Sequence, residues 1–108
     1  GWRFDIVVVD PPAFAKTAKD THKALRGYED LNRQALHVVR DGGVFCSCSC
    51  SSYITGDQFL QTLQRAAVRE RRRINVLEIR GQARDHPVLL AMPESRYLKC
   101  VIGIVEPL

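Results

Sequence analysis

The sequence has no apolar run long enough to cross a bilayer, and its opening does not resemble a secretion signal. It has no internal repeat and no low-complexity tract, which sets aside solenoid and linker-like architectures. No Cys-x-x-Cys pair is present. There is no initiator methionine: Gly1-Trp2-Arg3-Phe4-Asp5 runs straight into an apolar strand, as expected of an excerpt from a longer protein that begins inside a domain. What remains is ordinary for a globular domain: 108 residues, 45% hydrophobic and 26% charged, enough for one small domain. The net charge of +4 is compatible with a polyanionic partner but too small to establish one. The four cysteines do not follow a small secreted disulfide framework, so reduced thiols and a cytoplasmic setting are expected.

Phe4 to Val9 is apolar with little alternation, the pattern of a parallel strand covered on both faces. Pro11-Pro12 cannot continue a central strand, so the chain turns and leaves Asp10 at the strand's carboxyl tip. Ala15 to Arg26 is polar and reads as a mobile loop or a short irregular helix. Tyr28, Leu31, Ala35, Leu36 and Val39 recur at helical spacing, which predicts a helix from about Tyr28 to Arg40 stopped by Asp41-Gly42-Gly43. Val44-Phe45 then opens a strand in which Cys46, Cys48 and Cys50 share one face and the serines take the other. Thr55-Gly56-Asp57-Gln58 has the form of a capping box and opens a second helix, which closes at Arg69, Arg71, Arg72 and Arg73. Ile74 to Arg80 is a strand, and Gly81 to Glu94 a long connection. Arg96 to Val105 is a closing strand with Leu98, Cys100, Ile102 and Ile104 on one face. The order is a parallel βαβ start with a closing antiparallel hairpin, an α/β fold.

Cys50 stands where the apolar strand gives way to small polar residues, the edge at which open α/β sheets bind ligands. A thiol ordinarily titrating near 8.5 needs help from hydroxyls, strand-end amides or a cation to act as a nucleophile at neutral pH. The alternative is a buried, inert cysteine, the reading taken for Cys46 and Cys48. A zinc site from the three is argued against: alternate strand residues lie roughly 6.6 Å apart along one line, and tetrahedral zinc holds sulfur at about 2.3 Å. Asp10-Pro11-Pro12-Ala13-Phe14 either grips a planar base, carboxylate to its edge and ring to its face, or is a strand-ending turn with a capping aspartate. His86, beside Asp85 and Pro87, is either a proton carrier or a histidine bonded to loop backbone. Arg69 to Arg73 reads as a solvated helix end with phosphate contact as the rival.

Asp-Pro-Pro-Ala-Phe after an apolar strand resembles motif IV of class I S-adenosylmethionine-dependent methyltransferases. Ser49-Cys50-Ser51 resembles motif VI of the enzymes that methylate carbon 5 of cytosine in RNA. With Arg26-Gly27-Tyr28-Glu29-Asp30-Leu31-Asn32, Gln82-Ala83-Arg84-Asp85-His86-Pro87-Val88 and Tyr97-Leu98-Lys99, the set is similar to the bacterial large-subunit rRNA cytosine-C5 methyltransferases that carry a PUA domain. The resemblance implies the C-terminal half of a Rossmann-like catalytic domain, with the PUA domain and the cofactor's Gly-rich loop outside this chain. It implies S-adenosylmethionine as cofactor, contacted here by Asp10, Pro11 and Pro12, and large-subunit rRNA as partner. Cys50 and Asp10 become catalytic residues; Phe14, Arg26, Ser49, Ser51 and His86 become substrate contacts. Ala13 stands where the family commonly has lysine, removing one contact. The open edge of the first strand, Ile6 to Val9, is expected to cause self-association, and the chain alone to transfer no methyl group. Two rivals remain: an N-methyltransferase using the Asp-Pro-Pro turn without a thiol, and a non-catalytic interaction module.

Overall fold

A computed structural model describes residues 2–15, 17–81 and 98–108. Strand β1 (Phe4–Val9) leads through a 3-10 turn (Ala18–Asp20) into helix α1 (Thr21–Val38). Strand β2 (Val39–Ser49), helix α2 (Gly56–Arg69), strand β3 (Arg72–Arg80) and strand β4 (Lys99–Pro107) follow. They form one sheet in the order β1-β2-β4-β3, parallel between β1 and β2 and antiparallel at the two other pairings. The expected α/β order and closing antiparallel pair are therefore present. No helix among the described residues is long and apolar enough to cross a membrane.

Both helices lie on one face of the sheet. Inward residues Val9, Phe45, Val101 and Val105 pack with Tyr28, Leu36, Phe59 and Leu63 into the core. The other face, with Ile6 and Val8 of β1 at 65% and 63% exposure, is covered by no described element. Among the described residues β1 pairs on one side only, with β2, so it is the expected open sheet edge, but its unalternating sequence, which suggests cover on both faces, is buried on one face alone.

Three boundaries differ from the sequence reading. Helix α1 begins at Thr21, not Tyr28, because Ala24 is buried while His22, Lys23 and Arg26 are its solvent face. Its end is also different: Val39 is already extended, and Gly42-Gly43 lie inside β2, not after a helix. There β2 bulges between its Val39 and Val44 pairings to β1. Gly42 takes φ +79°, and a Cβ on Gly43 would come within 2.9 Å of the Arg40 carbonyl and 3.0 Å of that of Asp5. The end of α1 is instead satisfied by Arg72, buried at 6% exposure, whose guanidinium donates to the carbonyls of Leu36 and Val39, each at 2.6 Å, and to Asp41 Oδ1 at 2.8 Å. Arg72 thus belongs to the core, and β3 starts there, two residues before Ile74. The Thr55 capping box forms as its sequence indicates, Thr55 Oγ1 accepting from Gln58 N at 3.1 Å and Gln58 Oε1 from Thr55 N at 2.9 Å.

Candidate active site at the parallel strand tips

β1 and β2 run parallel, so the segments that follow them emerge at the same edge of the sheet. Val9 is opposite Ser47. Asp10 is therefore level with Cys48, and Cys50 extends about two residues, roughly 6.6 Å, further along. Asp10 is exposed and Cys50 half-buried, so neither is packed away in hydrocarbon. The two loops are tied together: Ser51 Oγ donates to the Ala15 carbonyl at 3.0 Å, and Ser51 N to Ser49 Oγ at 3.4 Å.

Helix α1 holds the Asp-Pro-Pro turn from below. Phe14 N donates to Tyr28 Oη at 3.4 Å, and the two rings meet at 4.5 Å with a 47° tilt. Tyr28 in turn meets Phe59 edge-on at 6.0 Å. Phe14 lies over Gly27, where a Cβ would approach its ring to 3.4 Å, and it borders a cavity of about 320 Å³ shared with Asp20, Lys23 and Ala24. Buried Asn32 donates to the Tyr28 carbonyl at 2.7 Å and accepts from Ser47 Oγ at 2.5 Å, locking α1 to β2. Gly27 and Tyr28, with Asn32 beneath, thus support Phe14 from α1. These buried polar groups are satisfied within the protein, as a rigid support requires.

Lys99 ends the Tyr97-Leu98-Lys99 stretch and starts β4. It pairs opposite Ser49 and is buried, with Nζ donating to the Ser51 carbonyl. Burial pushes its ammonium below the ordinary lysine value, and attraction to Cys50 opposes that shift. Finding this placement requires the β2–β4 register, which periodicity alone does not supply.

The remaining expected contacts separate into distinct groups. Ser49 and Ser51, assigned to substrate, are buried at 0% and 1% exposure on the helix-facing side and bond within the fold, so their hydroxyls hold the loops. Arg26 is on the exposed face of α1. His86 and Tyr97 lie outside the described residues. Of the arginine cluster, Arg69 faces Glu29 at 3.6 Å, and Arg72 is the internal clamp described above. Cys46 and Cys48 occupy the face opposite the serines, as alternation requires, but their sulfurs do not stand apart along a line. With Cys100 of β4, all three Sγ atoms lie within 4.8 Å of one another. The argument from single-strand spacing against a metal therefore loses its premise. Burial first, then bonding to and repulsion by Cys100, pushes the Cys48 thiol far above its ordinary range; Cys46 is raised likewise, with a smaller contribution from Asp10.

No protein-family profile matches the chain. It is 39% identical over 99 residues to ribosomal RNA large subunit methyltransferase I of Escherichia coli (strain SMS-3-5 / SECEC), covering 92% of this chain and 25% of that protein. The protein of the same name from Shigella boydii serotype 18 is 38% identical over 99 residues, with the same 92% and 25% coverage. Among solved structures, one assigned to the SAM-dependent methyltransferases of Streptococcus mutans superposes with a TM-score of 0.73 at 24% identity over 95% of this chain and 26% of its own. A methyltransferase-assigned structure solved with S-adenosylhomocysteine superposes at 0.74, with 24% identity over 95% of this chain and 27% of its own. The strand order and these matches agree on the fold: the chain is similar to large-subunit ribosomal RNA methyltransferases, spans about 25% of their length, and has a partial Rossmann-like fold.

Proposed function

We propose that this chain supplies the nucleophile and the base-gripping corner of an S-adenosylmethionine-dependent methyltransferase acting on carbon 5 of a cytosine in large-subunit ribosomal RNA. The observation that carries the reading is the pairing of two loops at one sheet edge. Asp10-Pro11-Pro12 and Cys50 follow adjacent parallel strands and are tied by Ser51 and Ala15, with Lys99 Nζ donating to the Ser51 carbonyl next to Cys50 in the chain. Such an enzyme works where ribosomes are made, which fits the expected cytoplasmic setting.

The residues present fit one wall of a cofactor site. Asp10 offers an exposed carboxylate and Pro11-Pro12 a rigid turn, but the sequence has no Gly-rich turn to cradle the methionine part. S-adenosylmethionine supplies an electrophilic sulfonium methyl when bound. The chain's own steps concern the base. Asp10 holds the polar edge of a flipped-out cytosine while Phe14, braced on Tyr28, offers a face for stacking. Cys50 Sγ, as thiolate, bonds to carbon 6, and the electron pair released from the ring's 5,6 double bond makes carbon 5 nucleophilic. After carbon 5 is methylated its proton passes to a base. The 5,6 double bond then re-forms as the carbon–sulfur bond breaks, returning the thiolate. Lys99 Nζ, donating to the Ser51 carbonyl, holds the loop that carries Cys50. His86 is a candidate for the base.

The test is made in a full-length enzyme that contains this chain. RNA carrying 5-fluorocytosine lacks the proton that must leave, so the Cys50 adduct persists as a band resistant to denaturation. Cys50→Ala should abolish the band and the activity together. Methyl transfer retained by Cys50→Ala would favour N-methylation through the Asp-Pro-Pro turn, and absence of both from the wild type would favour a non-catalytic module.

A further inference from the structure

On the sheet face opposite the helices, three thiols converge from two strands. Cys48 and Cys100 are direct antiparallel partners, and Cys46 lies two pairings further on, opposite Ile102 and on the same face. Cys100 Sγ is 2.8 Å from that of Cys48 and 3.5 Å from that of Cys46, and all three sulfurs fall within 4.8 Å of one another. We propose that Cys46, Cys48 and Cys100 form a binding site for one thiophilic closed-shell metal ion, zinc(II) or copper(I). The site is separate from the Cys50 corner and does not depend on it.

Geometry supports the site. Sulfurs bound at about 2.3 Å in a tetrahedral arrangement lie about 3.8 Å apart. The Cys100 sulfur is closer than that to both partners, at 2.8 and 3.5 Å, with all three sulfurs within 4.8 Å, so a bound ion would need the Cys48–Cys100 gap to open by about 1 Å. The three ligands come from rigid paired strands, so the site is largely formed beforehand. Their partial exposure leaves a path for entry and a further coordination position open to solvent. The donor set selects the ion: three soft sulfurs suit copper(I) or zinc(II), whereas calcium and magnesium require oxygen.

Without a cation the three sulfurs crowd one another. A bound cation takes each ligand as its thiolate and displaces the proton. The neighbouring sheet face adds Val8, Val44, Ile102 and Ile104, an apolar rim that strengthens the attraction between ion and thiolates.

The experiment adds cobalt(II), zinc(II) or copper(I) to the reduced 108-residue chain, with circular dichroism confirming that each variant stays folded. Cobalt should give thiolate charge-transfer absorption saturating at one equivalent, and zinc or copper(I) should displace it, the stronger competitor identifying the preferred ion. Cys100→Ser and Cys48→Ser should each weaken binding more than about 100-fold, beyond the 10–100-fold typical of losing an outer-shell partner; Cys50→Ser should leave it unchanged. The proposal is overturned by absence of a stoichiometric site or by full affinity in Cys100→Ser. It is equally overturned if the freshly purified chain is two hydrogens lighter than its reduced form, with Cys48 and Cys100 in one linked peptide. Loss of binding in Cys50→Ser would overturn the separateness of the site and leave the methyl-transfer reading intact.

Discussion

Arg72→Ala removes a cation that the fold has taken inside. Its guanidinium, at 6% exposure, donates to two main-chain carbonyls at the junction of α1 and β2, Leu36 and Val39, and to Asp41. Each bond from a charged donor contributes about 1.5–3 kcal/mol, and a carbonyl left dry costs about 1–3 kcal/mol. These terms overlap because relaxation readmits water, so the expected loss is about 3–5 kcal/mol, as for breaking a buried charge network. In urea, with a slope of roughly 1.5 kcal/mol/M, the midpoint should fall by about 2–3 M. That is much of the 5–15 kcal/mol typical of a whole domain, so the variant is near unfolding at 25 °C. Asp41→Asn is the control. The Asp41 carboxylate is half exposed, so screening limits the loss to below about 1 kcal/mol. An Arg72→Ala loss below about 1 kcal/mol, or one equal to that of Asp41→Asn, would refute the carbonyl-clamp argument.

Lys99→Met removes the bond from Nζ to the Ser51 carbonyl, so it should lower the urea midpoint of the chain; an unchanged midpoint would remove Lys99 as a support of the loop that carries Cys50. Cys46 and Cys48 are raised above their ordinary value of 9.0, so their contribution to stability is complete below that value and is lost as pH climbs through the raised folded-state values. Buried Lys99 is lowered and acts in the opposite sense, its cost fading as pH approaches 10.5. Comparing urea midpoints at pH 8 and 10 should therefore show a smaller alkaline loss in Cys48→Ser than in the wild type; equal slopes would contradict the shift. The exposed β1 edge should drive self-association of the chain, and Ile6→Lys should reduce it in sedimentation velocity, whereas a monomeric wild type would remove the edge as a cause.

The parts of the fold set by local pattern could be read from the sequence. The unalternating run Phe4–Val9, the Thr55–Gln58 cap and the alternation of Cys100, Ile102 and Ile104 each have a signal within a few residues. The start of α1 was lost because Lys19, Lys23 and Arg26 look like a loop until Ala24 is known to be the buried member of their turn. Gly42-Gly43 was read as a helix stop, but the crowding that excludes a Cβ comes partly from Asp5 on the neighbouring strand. The same limit applied at the site. β1 ends at Val9 and β2 at Ser49, so Asp10 and Cys50 follow directly where the apolar pattern stops. Lys99, Cys100 and the inward-turned Ser49 and Ser51 acquire meaning only through pairing across strands. The arginine cluster misled for the same reason: the carbonyls that Arg72 satisfies lie more than thirty residues earlier.

The central claim is that the Cys50 sulfur bonds transiently to carbon 6 of cytosine. Peptide mapping of the 5-fluorocytosine RNA conjugate formed by the full-length enzyme tests it most directly. The account predicts one nucleotide attached to the peptide containing Cys50, with Cys46, Cys48 and Cys100 unmodified. Attachment at any other residue, or methylation of carbon 5 with no conjugate ever captured, would contradict it.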